Sequence, residues 1–177
     1  EAIAYAHSFG RKVHITVNTL PRTNEYPALR EYFEFLGTVK PDALIIADAG
    51  VFALAREVLP ETEIHVSTQA GIVSAADCLF WRSLGAKRAV LARELSLDEI
   101  IEIRRNVPDD FEIETFVHGS MCVSFSGRCL LSNALTGRDG NRGACAQPCR
   151  WSYTISEEKR KDSPLTIEET PDGTFIM

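Results

Sequence analysis

Asp42-Ala-Leu-Ile-Ile-Ala-Asp48 is a short apolar run with an aspartate at each end. Runs of this length are typical of strands that are buried on both faces of a sheet. On either side of it, two segments alternate apolar and polar residues, which is the period of a β-strand. These segments are Lys12-Val-His-Ile-Thr-Val-Asn18 and Glu63-Ile-His-Val-Ser-Thr-Gln69. Together the three segments predict neighbouring strands of one sheet.

The same organisation continues along the rest of the chain. Two further strands are predicted at Arg88–Arg93 and Glu112–Val117, and a helical pattern separates each strand from the next. Asn24 and Ser74 are predicted helix caps, and Ser96 with Glu99 predicts a capping box. The predicted helices cover 1–9, about 25–39, about 50–58, about 74–84 and about 96–106.

One helix between successive strands predicts β/α units on a parallel sheet, in a barrel or in an open doubly wound sheet. No glycine-rich phosphate loop follows any strand, which disfavours dinucleotide binding. Polar residues on one face of several strands favour a barrel, because its inner face points away from the helices. Five units are too few to close an eight-stranded barrel, so we expect an α/β fold that is the C-terminal part of a TIM-like (β/α) barrel, cut from a longer protein.

The chain is predicted to have three parts. A partial β/α barrel covers 1–117, a cysteine-rich segment covers 118–151, and a small β-rich extension begins over 152–177. In the extension we expect strands at 151–157 and 174–177, separated by a charged turn at 158–164.

Polar residues occur where the predicted strands end, which is where the functional groups of such barrels gather. Asp48 and Ser67 share this position. For each of these residues alone, the alternative to a functional role is a polar residue of the core whose hydrogen bonds are made within the protein. The candidate catalytic residues are Asn18, Gln69, Arg93 and His118 at the strand ends, and His65 and Glu114 deeper on the inner faces.

Four of the five cysteines fall within 28 residues, at Cys122, Cys129, Cys145 and Cys149. Thiolates gathered this closely are usually metal ligands or disulfides. Structural zinc prefers paired Cys-x2-Cys knuckles, which are missing here, whereas an all-thiolate site suits an iron–sulfur cluster. Zinc, disulfides and free thiols remain alternatives.

Charge is unevenly distributed along the chain. Residues 1–117 carry 12 basic and 18 acidic side chains, whereas 118–161 carry seven basic and three acidic ones. No apolar run is long enough to span a membrane, and no signal-peptide pattern opens the chain. We therefore expect a cytoplasmic protein without membrane contact, where clustered cysteines favour metal over disulfides.

Two adjoining motifs carry a resemblance to a known family. Glu114-x-Phe116-x-x-Gly119-Ser120-Met121-Cys122 is followed by Gly127-x-Cys129-x-Leu131-Ser132. Together they resemble the signature of peptidase family U32, the collagenase-like proteases. His65-x-Ser67-Thr68-Gln69 and Asn141-Arg-Gly-Ala-Cys145 are similar to the family as well.

The resemblance implies several activities. Some members are described as collagen-degrading, by an unassigned mechanism. Others are needed to hydroxylate an RNA base, either C5 of the wobble uridine in tRNA or a cytidine in ribosomal RNA. A third group hydroxylates the ubiquinone ring without molecular oxygen and binds a 4Fe–4S cluster through cysteines of this motif. The form Pro148-Cys-Arg-Trp151 is most similar to the tRNA branch.

The residues favour oxidation over peptide hydrolysis. Neither His-Glu-x-x-His nor Gly-x-Ser-x-Gly is present, and no cysteine is paired with an obvious base. We expect iron–sulfur-dependent hydroxylation of tRNA uridine, with the four clustered cysteines as ligands of a 4Fe–4S cluster. A peptidase of unassigned mechanism is the alternative, followed by ubiquinone-ring hydroxylation or a metal-stabilised binding module.

Partners follow from the same reasoning. Arginines of the basic region are expected to contact an RNA backbone, and Trp151 or Phe125 could stack on a base, with core burial as the alternative. A small oxygen donor such as prephenate and pairing of chains through open sheet edges are further expectations. The predicted substrate-binding residues are Arg128, Arg142, Arg150 and Trp151.

Overall fold

The computed structural model describes residues 1–119, 122, 124–125, 127–170 and 173–176. Five parallel strands form one sheet whose spatial order follows the chain order. The five predicted strands and their parallel arrangement are confirmed, each with fewer residues in the ladder than predicted. The strands are β1 His14–Val17, β2 Ala43–Ile46, β3 Glu63–Val66, β4 Arg88–Val90 and β5 Glu112–Glu114.

A helix precedes β1, and one helix lies between each strand and the next. Ser74 caps its helix by accepting a hydrogen bond from the Asp77 amide, and the capping box of Ser96 and Glu99 is present. Among the described residues, no helix has the length and apolar character needed to cross a bilayer. The helices are α1 Ala2–Ser8, α2 Tyr26–Val39, α3 Ala49–Val58, α4 Ala75–Ser83, α5 Leu97–Asn106 and, later, α6 Leu131–Thr136.

The predicted cap at Asn24 is wrong. Thr23–Glu25 forms a 3-10 turn, and α2 begins after Glu25 without a side-chain cap. The Glu25 carboxylate instead turns back and accepts a hydrogen bond from the Arg22 amide at 2.6 Å. Asn24 lies inside the 3-10 turn, and Pro27 in the first turn of α2 has no N–H that a capping side chain could bind.

A single apolar core lies between the sheet and helices α2–α5. Leu44, Ile46, Ile64 and Val66 point to the same face of the sheet and are at most 1% exposed. Their core also contains side chains from each of the four helices. The alternate residues, such as His65, point to the opposite face. A doubly wound sheet would place helices on both faces, so the shared core shows a singly wound arrangement.

The chain divides into two compact units, Glu1–Ala146 and Gln147–Met177. The second contains two antiparallel pairs, β6 Ile155–Glu157 with β7 Arg160–Leu165, and β8 Ile167–Thr170 with β9 Gly173–Ile176. The charged turn predicted at 158–164 is wrong, because most of it forms β7. Side chains of β7 are mostly exposed, and an exposed hairpin accepts charges on both faces. The predicted strand over 151–157 begins only at Ile155, and Met177 of the last predicted strand lies outside the described residues.

Candidate functional site

The face of the sheet opposite the helices carries polar and charged side chains. We call this the inner face. The rings of His14 on β1 and His65 on β3 meet edge to face, with their centroids 4.8 Å apart. β2 lies between these strands and contributes the small Ala43 beside His14. Contact across an intervening strand shows that the inner face is concave at this point.

His65 is the most buried polar side chain of the inner face, at 1% exposure. Burial, and then the positive charge of Arg88, lower the pKa of its imidazole below the ordinary value. Its Nε2 lies 3.4 Å from Oε2 of Glu63. The neutral ring therefore donates from Nε2 and keeps Nδ1 as an acceptor. Among the described residues, Nδ1 has no hydrogen-bond partner.

Arg88 joins two glutamates on β5. Its Nε donates to Glu112 at 2.7 Å, and its Nη1 donates to Glu114 at 2.9 Å. The hydrogen bond from Arg88 lowers the pKa of Glu112. Glu114, a predicted catalytic residue, is thus an exposed carboxylate held in an ion pair, and its catalytic role stays a prediction.

The other predicted catalytic residues lie just beyond the carboxyl ends of the parallel strands, as the sequence predicts. We call this end of the sheet the sheet edge. Asn18 follows β1, and its Oδ1 is buried without a partner among the described residues. Gln69 lies in the 3-10 turn Thr68–Ala70 that follows β3. Arg93 is half-buried beyond β4, and His118 is exposed beyond β5.

Two polar residues of this edge have structural partners instead. Asp48 caps α3, since its Oδ1 accepts a hydrogen bond from the Val51 amide at 2.9 Å. Ser67 is buried, and its Oγ accepts from the Gln69 amide at 3.3 Å. The structure therefore supports a structural role for Asp48 and Ser67, as polar side chains whose hydrogen bonds are made within the protein.

The first half of the cysteine-rich segment rests on the turn after β3. Gly127 has a φ of +71°, and a Cβ at this position would lie 2.4 Å from the Gln69 carbonyl oxygen. Only glycine fits such an approach. Beside it, the Arg128 guanidinium lies 5.5 Å from the centre of the Phe125 ring, which is within cation–π distance.

The second half is tied to the connection between β1 and α2. Arg142 binds both carboxylate oxygens of Glu25 and donates to the Leu20 carbonyl at 3.0 Å. The Leu20 amide in turn donates to the Asn141 carbonyl. The hydrogen bond from Arg142, supported by the Arg22 amide, lowers the pKa of Glu25 to about 2. Arg142 was predicted to bind substrate, and its guanidinium is already engaged within the protein.

Ser132 organises the segment internally, a role that sequence reasoning missed. It is 2% exposed; its Oγ donates to the Arg138 carbonyl at 2.7 Å and accepts from the Ala146 amide at 2.9 Å. Asn141 adds a bond from Nδ2 to the Cys129 carbonyl at 3.2 Å. The Leu131-Ser132 ending of the motif was the signal that could have identified this role.

None of the five cysteines, all of which the structure describes, forms a disulfide bond. Cys122, Cys145 and Cys149 are exposed, and Cys129 is half-buried. Cys149 belongs to the second compact unit, whereas the others belong to the first. Cys78 is buried in α4, which raises the pKa of its thiol to about 11 and separates it from the clustered four.

The fit to a metal cluster depends on donor type and on arrangement. Four accessible thiols are the donor set that iron–sulfur clusters use. Among the described residues, no three side chains of His, Cys, Asp or Glu are grouped so as to hold a metal ion. The donor chemistry fits, and the ligand set stays a prediction.

Comparison with known proteins gives consistent matches. The protein-family model described as peptidase family U32 matches residues 1–177. A tRNA hydroxylation protein P of Helicobacter pylori (strain J99) is 46% identical over 179 residues, covering 100% of this chain and 42% of that protein. A 23S rRNA 5-hydroxycytidine synthase of Escherichia coli (strain K12) is 38% identical over 159 residues, covering 90% of this chain and 24% of that protein. The chain therefore spans less than half the length of either relative.

The fold is similar to that of a solved U32 peptidase. The TM-score is 0.54 at 20% identity, over 64% of this chain and 48% of the other. At this identity the likeness concerns the fold alone.

Proposed function

Because the chain belongs to peptidase family U32, we propose that the protein from which it comes hydroxylates a uridine base of tRNA. The observation that carries the proposal is the 46% identity to a tRNA hydroxylation protein along the whole chain. That match includes the sheet edge and the cysteine-rich segment that lies on it.

The sheet belongs, in this proposal, to a TIM-like barrel completed by other parts of the protein. Strands in chain order, helices sharing one core and a polar inner face support this arrangement. The contact of His14 with His65 supports it too, because inward-pointing residues of alternate barrel strands stack in layers. Among the described residues, β1 and β5 are the outermost strands of the sheet. Because the open side of an outermost strand can pair with another chain, such pairing stays a prediction.

A 4Fe–4S cluster would be held by Cys122, Cys129, Cys145 and Cys149. Bound there, it would supply electron transfer for the oxidation of the base. The protein residues have separate tasks. Gly127 and Arg142 fix the two halves of the segment on the sheet edge, and the neutral His65 offers a hydrogen-bond acceptor below it.

RNA binding is assigned to exposed groups. Arg128 and Arg150 are exposed, as is half of the Trp151 side chain, so the two cations are suited to phosphates and the indole to stacking on a base. Arg142 is set apart from these, since Glu25 already neutralises it. A small oxygen donor such as prephenate and a cytoplasmic location complete the proposal.

The test is mass spectrometry of tRNA nucleosides from a strain that lacks the full-length gene. We expect the loss of one oxygen atom on a tRNA uridine, restored by the wild-type gene and not by Cys145→Ala. The matched control is Cys78→Ala, which removes the buried cysteine outside the segment and should restore the modification.

An unchanged nucleoside profile in the deletion strain would contradict the proposal. If purified full-length protein then cleaved gelatin, and Cys145→Ala cleaved it equally well, the collagenase-like peptidase would replace it.

A further inference from the structure

The outward side of α5 carries apolar side chains that remain exposed. Leu97 is 71% exposed and Ile101 is 39% exposed. They are four residues apart, so they form one row along the helix. Ile103 points the other way and is buried in the core. The helix therefore has an apolar row that the core does not use.

The neighbouring helix α4 extends this row. Arg82 of α4 forms a salt bridge at 2.8 Å with Asp110, in the loop that follows α5, so this side of α4 faces α5. Leu79 lies three residues before Arg82, on the same side of the helix, and is 41% exposed. Three apolar side chains from two adjacent helices are thus presented together.

Two opposite charges lie on the same side of α5. Arg105 continues the row of Leu97 and Ile101, and Asp98 lies seven residues before Arg105, close to two full turns. Along the axis these two charges are about 10 Å apart, too far for a salt bridge within the helix. In the described part of the chain, neither side chain has an ion-pair partner. We call Leu79, Leu97, Asp98, Ile101 and Arg105 the α5 surface.

The α5 surface is complementary to itself. When two copies of α5 lie antiparallel with Ile101 near the middle, Asp98 of each copy lies beside Arg105 of the other. The dipoles of antiparallel helices also attract each other. RNA is disfavoured as the partner, because Asp98, Glu99 and Glu102 make the first half of α5 acidic.

We propose that the α5 surface joins two copies of this protein in a two-fold symmetric dimer. Leu79, Leu97 and Ile101 form the apolar centre of the contact. Asp98 and Arg105 of opposite copies form two identical salt bridges, since a two-fold contact uses the same patch on both copies. The inference is independent of the proposed function, because α5 packs on the face of the sheet opposite the inner face.

The contact is expected to be weak. Two short helix faces give an interface at the small end of the range for specific complexes, so we expect a dissociation constant on the order of 10 µM. The core lies within one copy, so folding does not depend on the dimer. Substitutions at these exposed positions should therefore change association and leave the protein folded.

The experiment is sedimentation equilibrium of full-length protein between about 1 and 100 µM, a range that brackets the expected dissociation constant. Wild type should pass from monomer to dimer over this range. Asp98→Arg and Arg105→Asp should each stay monomeric, because each variant places like charges at both salt bridges. An equal mixture of the two variants should form a heterodimer, since every contact then joins opposite charges again.

Two further variants complete the test. The double variant Asp98→Arg/Arg105→Asp exchanges the two charges and should dimerise as wild type does. Asp109→Arg makes the same charge change at an exposed position in the loop after α5 and is the matched control, which should also dimerise. Thermal unfolding of each variant checks that it is folded.

The inference is overturned if wild type stays monomeric up to about 100 µM, tenfold above the expected dissociation constant. It is also overturned if the two single variants dimerise as wild type does, which would favour pairing through the outermost strands. Two single variants that stay monomeric when mixed would exclude the antiparallel pairing. The tRNA nucleoside profile is measured separately, so none of these results decides the proposed function.

Discussion

The sheet with its helices and the cysteine-rich segment are stabilised in different ways. The first has a continuous apolar core in which Leu44, Ile64 and Phe33 are fully buried. The part of the segment within the first unit, 118–146, leaves Leu130 72% exposed and Leu135 51% exposed. It is positioned by hydrogen bonds to the loop after β1 and by the close approach of Gly127 to the turn after β3. We therefore expect that the segment can be displaced while the sheet stays folded.

The largest effect is expected in the shared core. Leu44→Ala removes a fully buried side chain of β2 and should lower the free energy of unfolding by about 3 kcal/mol. Leu97→Ala is the control, because this leucine is 71% exposed and its loss should change stability by less than about 0.5 kcal/mol. Denaturant unfolding of the full-length protein measures both. Equal effects would show that the sheet does not depend on this core.

Gly127→Ala should separate the two regions. The new Cβ would strike the Gln69 carbonyl oxygen, and a left-handed φ adds about 1 kcal/mol of strain. Gly137→Ala is a matched control, since its φ is +70° and no atom lies within 4 Å of the new Cβ. Both variants carry the strain, and only Gly127→Ala should lose tRNA hydroxylation. The hypothesis of an essential contact fails if the two variants modify tRNA equally.

The same difference explains what the sequence could predict. The strands around Ile64 and Leu44 follow from local alternation and apolar runs, and the cap at Ser96 follows from residues three positions apart. These are local patterns, so their outcome is determined within a short window. Asn18 could be placed at the sheet edge in the same way, since it follows a predicted strand.

Contacts between distant residues could not be predicted from such patterns. Glu25 and Arg142 are 117 residues apart, and nothing in the sequence near Arg142 distinguishes it from the exposed Arg128. Asp48 looked like a pocket residue and caps a helix, because the sequence does not show where its amide partner lies. Polar side chains have several possible partners, and the fold decides among them.

Glu25→Gln should weaken the attachment of the second half of the segment with little effect on the sheet. The amide keeps the shape of the carboxylate and removes the charge that holds Arg142. We expect the melting temperature to fall by only a few degrees. Hydroxylation of tRNA should lose a larger fraction of its wild-type level. Glu57→Gln, in the exposed ion pair with Arg30, is the control and should affect neither.

The attachment through Glu25 should also depend on pH. Its folded pKa is lowered from 4.5 to about 2, so its contribution to stability is present above pH 4.5 and is lost as the pH falls toward 2. Glu25→Gln should remove this part of the acid dependence. A variant whose stability falls as steeply as that of wild type over this window would show that the carboxylate does not contribute.

The smallest effect is expected from His65. Its pKa is lowered from the ordinary 6.5 by burial and by Arg88, and His14, Glu63 and Glu112 are further titratable groups that interact with it. The unfolded chain therefore binds more protons, so the contribution of the neutral ring is complete above pH 6.5. It is lost as the pH falls from 6.5 through the lower folded value. Melting temperatures of wild type and His65→Gln between pH 7.5 and pH 5 should converge on acidification, because only in the wild type does unfolding release a buried neutral ring that then takes up a proton. Parallel curves would show that the folded protein does not lower the pKa of His65.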